Sequence, residues 1–507
     1  MNKRSILYST VQVTIITFGI KALGLIKQSV LAAYCGANNE TDAFFIASST
    51  IVNLCTVIFS SISISLLTIH TNRLLEKGRA AANRLINAAI RYFLPLAIML
   101  CLLFYIGAEV IAKFLAPSYI GIQSIMLAKY IRIMSISFVL WCYFLIVNVV
   151  LETDKSFIPG KFQGLFQNIL IIVGAICLYK KYGIDVLLYA FLLSALLECV
   201  LVTWCARKKF KLIFTALDEK NEIYKLIRLS FPLIAGNAIY EINDIVDKQL
   251  STGLGEGNAS FLTYGSTINE IVTGVIVASV STVLFSHFAT WIAQKQLAKV
   301  ENNLIKAIQN LTIIIVPVMV MCIVSGDKIV QILYGRGNFG QTEIRSTYGV
   351  VIGYAIGFIF QAARANIVKV YYAFQDTKTP MVNGIIAVGI NVVLSVILSK
   401  LFGVVGISMA TSIAMAIVTY LLIRKIHNYL PSFPVKTCCV ECLKGIFAGM
   451  ICACIIIMIQ KYININIYME FVLEGICCVL FYIILLYFLK SQCLKDVMRI
   501  GINKLKD

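Results

Sequence analysis

The chain has 507 residues, of which 59% are apolar and 14% charged, and its mean hydropathy is +0.87. An ordinary soluble domain carries about a quarter charged residues, so water-soluble classes are excluded. The net charge of +19, from 44 Lys+Arg against 25 Asp+Glu, would indicate nucleic acid in a soluble chain. In a membrane protein it reflects positive cytoplasmic loops, and no nucleic-acid partner is expected.

At the N-terminus Lys3 and Arg4 precede an apolar run that resembles a signal peptide. No small-x-small cleavage site follows it and Lys21 interrupts it, so it reads as an uncleaved first span. Charge-free apolar stretches then recur at 43–69, 92–108, 133–151, 162–179, 186–197, 307–326, 381–399 and 401–423. A span needs ~20 residues of helix, and the shorter or charge-interrupted runs bring the expected total to about fourteen transmembrane helices. The runs lack the alternation of barrel strands. The fold class is therefore an all-α polytopic membrane protein. The 16 cysteines fall mostly inside apolar runs and read as small packing residues. Cys438-Cys439-x2-Cys442 lacks a second metal-binding half, and the chain has only three histidines, so zinc is not expected.

The connections set the orientation. Arg73, Lys77, Arg79 and Arg84 follow the second span, and Lys155 and Lys161 the fourth. Arg207, Lys208, Lys209, Lys211, Lys220, Lys225 and Arg228 follow the sixth. Lys295 and Lys299, then Lys378, then Arg424, Lys425 and Lys436 follow the eighth, tenth and twelfth. Lys490, Lys495, Arg499, Lys504 and Lys506 close the chain. The opposite connections hold few cations, such as Lys180, Lys181, Lys328, Arg336 and Lys461. Both termini are therefore expected in the cytoplasm.

The sequence also repeats. Gly36, in Tyr34-Cys35-Gly36-Ala37, matches Gly255, 219 residues later. Asp154, in Thr153-Asp154-Lys155 before Pro159, matches Asp376, in Gln375-Asp376-Thr377-Lys378 before Pro380, 222 residues later. An offset of six helices preserves membrane orientation, so the expected architecture is two six-helix lobes related by a parallel pseudo-two-fold repeat. The N-terminal lobe is placed at 1–222 and the C-terminal lobe at 223–437. Residues 438–507 supply two further helices and a basic tail. Two parallel lobes around a midplane cavity form a transporter plan, since rocking one against the other opens the cavity to each side in turn.

A charge inside hydrocarbon costs roughly 2.5–3.5 kcal/mol on insertion scales, so each one is a functional candidate. In the first span Lys21, Gly24 and Gln28 share a helical face, with Lys27 about 120° away. Two ammonium groups facing a cavity would bind phosphate or pyrophosphate; alternatively they snorkel or pair with acids. Asp42 opens the second span, as a binding residue or as a helix-start carboxylate with Thr41 as cap. In the seventh span Glu241, Asp244 and Lys248 lie at i, i+3 and i+7 on one face, and Asp244 can pair with Lys248. Glu270 and Arg364, in the eighth and tenth spans, extend the polar set. Lys129, Arg132 and Glu198, nearer helix ends, are assigned structural roles. No catalytic cluster and no Walker-type loop is present, so neither an enzyme nor direct ATP use is expected.

Several segments resemble the MurJ/MviN family of lipid II flippases, within the superfamily of multidrug, oligosaccharidyl-lipid and polysaccharide exporters. They are Leu23-Gly24-Leu25-Ile26-Lys27, Thr41-Asp42-Ala43-Phe44-Phe45, Glu241-Ile242-Asn243-Asp244, Tyr334-Gly335-Arg336-Gly337-Asn338-Phe339 and Tyr371 to Pro380. The resemblance implies alternating access. A polyprenyl-pyrophosphate-linked saccharide, foremost lipid II, would have its head group in a cationic cavity and its tail in a groove by the last two helices. Family arginines of the first span are matched by Lys21 and Lys27, and lysine keeps the charge without the bidentate fork. Cys55 and Thr267 stand where further family arginines align. The resemblance also implies a candidate monovalent-cation site at Asp247, Asn391 and Thr411, with Ser395 where a second carboxylate is expected. Membrane-potential coupling is the other driving force considered.

The expected function is thus a flippase in the bacterial cytoplasmic membrane, working as a monomer with the bilayer and its lipid-linked glycan, and with other cell-envelope proteins as candidate partners. The alternatives are an exporter of another lipid-linked polysaccharide unit (Wzx-like) and a cation-coupled drug exporter. A glycan polymerase or ligase would need large outer loops, and the outer connections here are short.

Overall fold

The computed structural model describes residues 3–212, 219–462, 465–492 and 494, with side chains from residue 15 onward except 240, 278–280, 282–286 and 437. Lys495, Arg499, Lys504 and Lys506 of the expected basic tail lie outside the described residues. Among the described residues every regular element is helical. In hydrocarbon a helix satisfies its own backbone polar groups, and apolar side chains can face either lipid or protein.

Helix α1 covers Lys3–Cys35 and turns at Gly36 into α2, Asn39–Cys55. A π-helical turn, Thr56–Ser60, joins α2 to α3, Ser61–Ile106. The stretch Asn39–Ile106 is 68 residues long, more than one crossing needs, and it breaks at Gly78, whose φ of 75° is left-handed. Then come α4 (Ala108–Leu115), α5 (Ile122–Ser135), α6 (Ser137–Thr153), α7 (Phe162–Cys177), α8 (Tyr179–Tyr182), α9 (Asp185–Ala206) and α10 (Lys220–Thr252). The remainder comprises α11 (Asn258–Ile271), α12 (Ala278–Ala293), α13 (Leu297–Val324), α14 (Gly326–Tyr334), α15 (Gln341–Ala355), α16 (Phe358–Ala373), α17 (Lys378–Phe402), α18 (Val404–Ile426), α19 (Val435–Tyr462) and α20 (Ile467–Phe488).

Ten stretches among the described residues are long and apolar enough to cross a membrane, and α15 with α16, bent by 42°, makes an eleventh. Gly78 divides one of the ten. α10 and the run α11–α12 fall outside that set. Both are helices in the structure, so the expectation of about fourteen spans is compatible with the fold.

The chain forms two compact units, Met1–Ser260 with Arg336–Phe339, and Phe261–Gly335 with Gly340–Asp507. In the first unit α3 packs on α6, α7 on α1 and α9, and α10 on α2 and α3. In the second, α18 packs on α15, α16 and α17, while α19 and α20 pack on each other and on α13. The core among α13, α19 and α20 is apolar, built from Val316, Val320, Cys452, Cys478, Tyr482 and Leu486.

The internal repeat is visible in local backbone. Lys155 and Gln375 are both left-handed, with φ of 60° and 62°. Each follows a helix closed by the same pair of bonds. Lys155 N donates to Glu152 O and Ser156 N to Leu151 O; Gln375 N donates to Tyr372 O and Asp376 N to Tyr371 O. These turns superpose the repeats 220 residues apart, not 222. Asp376 therefore corresponds to Ser156, not Asp154. The two aspartates still do similar work, each tying its turn to a segment that follows a later helix of its unit. Asp154 pairs with Lys209 after α9, and Asp376 accepts a 3.0 Å bond from the Tyr429 hydroxyl after α18.

Candidate substrate site

In the first unit the expected site residues lie on α1, α2 and α10. Asn168 of α7 donates from Nδ2 to the Ile20 carbonyl at 3.2 Å. Gly164 of α7 is so near that a Cβ on it would lie 2.7 Å from Ile20 Cγ2. These contacts set the position of α1 where Lys21 projects. Lys21 is exposed and Lys27 half-buried. The Gln28 Oε1 is buried with no hydrogen-bond partner among the described residues, an acceptor that a ligand or water would satisfy.

On α10, Asp244 and Lys248 form the i, i+4 pair that their spacing anticipates, 2.8 Å from Nζ to Oδ2. Asn53 of α2 donates to the same oxygen at 2.9 Å, so Asp244 joins two helices. Glu241 is half-buried one turn earlier. Asp247 is 5% exposed and accepts a bond from Asn243 Nδ2 at 3.1 Å.

Asp42 has a different environment. It is fully buried, and its carboxylate accepts bonds from Gly257 N (2.8 Å), Ser260 N (2.7 Å) and Ser260 Oγ (2.5 Å). These donors start α11, so Asp42 caps a helix other than its own. The cap of α2 is Asn38, whose Oδ1 accepts from Thr41 N, in place of the expected Thr41.

The segment Gly335-Arg336-Gly337-Asn338-Phe339 is explained by close approach. Asn338 donates from N to the Ala33 carbonyl at 2.9 Å and from Nδ2 to the Tyr34 carbonyl at 2.7 Å. Gly337 has φ of 57°, and a Cβ on it would sit 2.1 Å from Ala33 O. Only glycine fits there.

In the second unit, Asn391 Nδ2 donates to Thr411 Oγ1 at 2.9 Å and Ser395 Oγ donates to Asn391 Oδ1 at 3.1 Å. Asn391, Thr411 and Ser395 are thus brought together across α17 and α18, while Asp247 belongs to the first unit. Glu270 is exposed near the end of α11, and Arg364 is half-buried on α16. Cys55 is fully buried, and Thr267 Oγ1 bonds back to the Thr263 carbonyl at 2.9 Å, so neither position is cationic.

Two charge clusters were not foreseen. Lys328 of α14 meets Glu470 at 2.6 Å and also Glu474, both on α20. The signal was the i, i+4 carboxylate pair opening an otherwise apolar helix. Burial opposes the charge on Lys328, but the two glutamates outweigh it and hold the ammonium above its ordinary pKa. In the other cluster Arg73 is 9% exposed and bonds Glu219 at 2.5 Å, with Glu222 at 3.7 Å. Beside it Arg79 forms a two-pronged bond to Asp154, at 2.8 and 2.9 Å. These basic residues thus bind α3 to the segments that follow α6 and α9.

Arg79 holds the Asp154 carboxyl below its ordinary value of 3.8, with Lys209 assisting. A depressed folded-state pKa contributes stability that is fully present above the ordinary value and is lost as pH falls through the folded value. Asp154→Asn is therefore expected to flatten the acid limb of the unfolding midpoint below about pH 4. An unchanged limb would show that Asp154 is not the group responsible.

The family model described as lipid II flippase MurJ matches residues 31–476. A probable lipid II flippase MurJ of Treponema pallidum (strain Nichols) is 23% identical over 444 residues, covering 83% of this chain and 82% of the relative. The solved structure of a lipid II flippase MurJ in an inward closed conformation has a TM-score of 0.83 at 25% identity, covering 96% of this chain and 100% of that one. An inward-facing multidrug resistance MATE family transporter of the MOP superfamily has a TM-score of 0.69 at 12% identity, over 84% of this chain and 98% of the other. That last likeness is one of fold alone.

Proposed function

The chain belongs to the MurJ lipid II flippase family, and from that premise we propose how it moves lipid II across the bacterial cytoplasmic membrane. It is a transporter, not an enzyme. The pyrophosphate of the substrate carries the charge that must be held during crossing. Lys21 and Lys27 on α1 are the cations assigned to it. The observation that carries this assignment is that Asn168 Nδ2, bonded to Ile20 O, holds α1 where Lys21 projects, with the Gln28 Oε1 of the same helical face left unsatisfied among the described residues. An ammonium is a compact point charge, so it neutralises phosphate without the planar fork of arginine. Gln28, with its unsatisfied oxygen, is assigned to the head group as a hydrogen-bond acceptor. Glu241, Asp244 and Lys248 form a polar strip on α10 in which Lys248 is partly neutralised by Asp244. Glu270 on α11 and Arg364 on α16 are assigned to the same polar set.

In this reading the lobes at 1–222 and 223–437 alternate access by rocking, and both termini are cytoplasmic. Asn391 and Thr411, joined across α17 and α18, are assigned to a monovalent-cation site. The protein works as a monomer.

The test is complementation of a bacterial strain depleted of its lipid II flippase. The wild-type chain is expected to restore growth, and Lys21→Ala with Lys27→Ala to abolish it at equal membrane abundance. Lys→Arg at both positions is expected to retain rescue. Full rescue by the double alanine variant would remove the pyrophosphate assignment, and no rescue by the wild type would remove lipid II as substrate.

A further inference from the structure

On the proposed topology the outer connections carry few cations, and two of them converge. Lys180, in the turn between α7 and α9, and Arg336 line one cavity of about 690 Å³ in the first unit, together with Ser29, Ala33, Tyr34 and Tyr179. Lys181 adjoins it, with its ammonium 5.0 Å from the Tyr182 ring centroid. A second cavity, of about 610 Å³, lies in the groove between α7 and α9, lined by Leu170, Val173, Gly174, Val186, Tyr189 and Leu193. Val173, Tyr189 and Leu193 are exposed there, so the groove faces outward from the helix pair.

One short turn separates the two. Leu178 and Tyr182 face the apolar groove, whereas Tyr179, Lys180 and Gly183 face the basic cavity. The φ of 63° at Gly183 turns the chain back toward α9. Two carboxylates stand nearby. Asp185 lines the groove but is paired with Lys129 at 2.6 Å. Glu40 acts on Tyr179 electrostatically. Lys180 and Arg336 both line the basic cavity, and Lys181 adjoins it.

We propose that this pair of cavities is a binding site for an anionic phospholipid, with an acyl chain in the α7–α9 groove and the phosphate head between Lys180 and Arg336. An apolar trough open to hydrocarbon matches a chain. A basic, tyrosine-rimmed cavity at its end matches a phosphate at the depth where head groups lie. Neither half explains the other by packing alone, because an ordinary lipid-facing groove has no need of converging cations. The site is separate from Lys21 and Lys27 and does not depend on which glycan is moved.

The test is lipid retention by the full chain purified in detergent, read by native mass spectrometry. Phosphatidylglycerol is compared with phosphatidylcholine of the same acyl chains. The wild type is expected to retain phosphatidylglycerol about tenfold more strongly. Lys180→Glu with Arg336→Glu should abolish the preference, and Val173→Trp should weaken retention of both lipids. Lys461→Glu, at the end of α19 in the other unit, should change nothing. Millimolar inorganic phosphate should not displace the lipid. Equal retention of the two lipids by the wild type, or an undiminished preference in the double variant, overturns the proposal, as does full displacement by phosphate. If the double glutamate variant melts early, Lys180→Gln with Arg336→Gln is read in its place. Rescue of growth is not part of the readout, so failure here leaves the transport assignment standing.

Discussion

Lys328→Met is expected to lower the unfolding stability of the second unit by about 3–5 kcal/mol. The lysine is 8% exposed, and its ammonium is the counter-charge for Glu470 and Glu474. Glu474 is fully buried, and its Oε2 has no hydrogen-bond partner among the described residues. Removing the cation leaves two carboxylates facing each other in an apolar setting, where desolvation and like-charge repulsion add. The signs within the cluster then discriminate. With both glutamates ionised the trio carries one surplus negative charge, so Glu474→Gln alone is expected to cost little. Lys328→Met combined with Glu470→Gln and Glu474→Gln should recover most of the loss. Denaturant titration in micelles measures each variant. If Lys328→Met unfolds at the wild-type midpoint, the ion cluster is not holding α14 against α20.

Asp42→Ala is expected to cost about 2–4 kcal/mol. Its carboxylate accepts two backbone bonds and one hydroxyl bond from Gly257 and Ser260, all inside a buried pocket. Alanine leaves two buried N–H groups at a helix start without an acceptor, and water has little access to replace it. Asp42→Asn keeps one good acceptor and loses the charge, so about half the effect is expected. Ser260→Ala removes only the hydroxyl bond and should cost ~1 kcal/mol. An order in which Ser260→Ala equals or exceeds Asp42→Ala would show that the backbone bonds are not the main contribution. Because Asp42 lies in the Thr41-Asp42-Ala43-Phe44-Phe45 segment, loss of rescue in this variant must be read beside its stability.

Much of this was legible without coordinates. The apolar runs predicted helices, and α7, α9, α13, α17 and α18 stand where charge-free stretches predicted them. The Asp244–Lys248 pair followed from spacing, because residues four apart share a helical face. The repeat was legible as two matching segments, although the left-handed turns at Lys155 and Gln375 correct its register by two residues. Hydrogen-bond geometry, not residue identity, defines equivalence there. The site was legible as a list of charges but not as partners. Asp42 illustrates the limit: its sequence neighbours suggested a cap on α2, whereas its donors lie more than two hundred residues away. Lys328 reads as a loop charge in the sequence because its partners are remote too, Glu474 lying 146 residues away.

The composition that excluded a soluble protein, 59% apolar and 14% charged, was by itself enough to determine the solvent, the element type and the approximate number of spans. Those properties depend on local sums over about twenty residues and on backbone bonds closed within each helix. Tertiary structure alone decided which charges come together. Arg73, Asp42 and Lys328 are committed to partners in their own unit, whereas Lys180 and Arg336, far apart in the chain, line a common cavity. The physical reason is that a charge in low dielectric is governed by whatever lies within a few ångströms of it, and that neighbour is chosen by packing rather than by sequence distance.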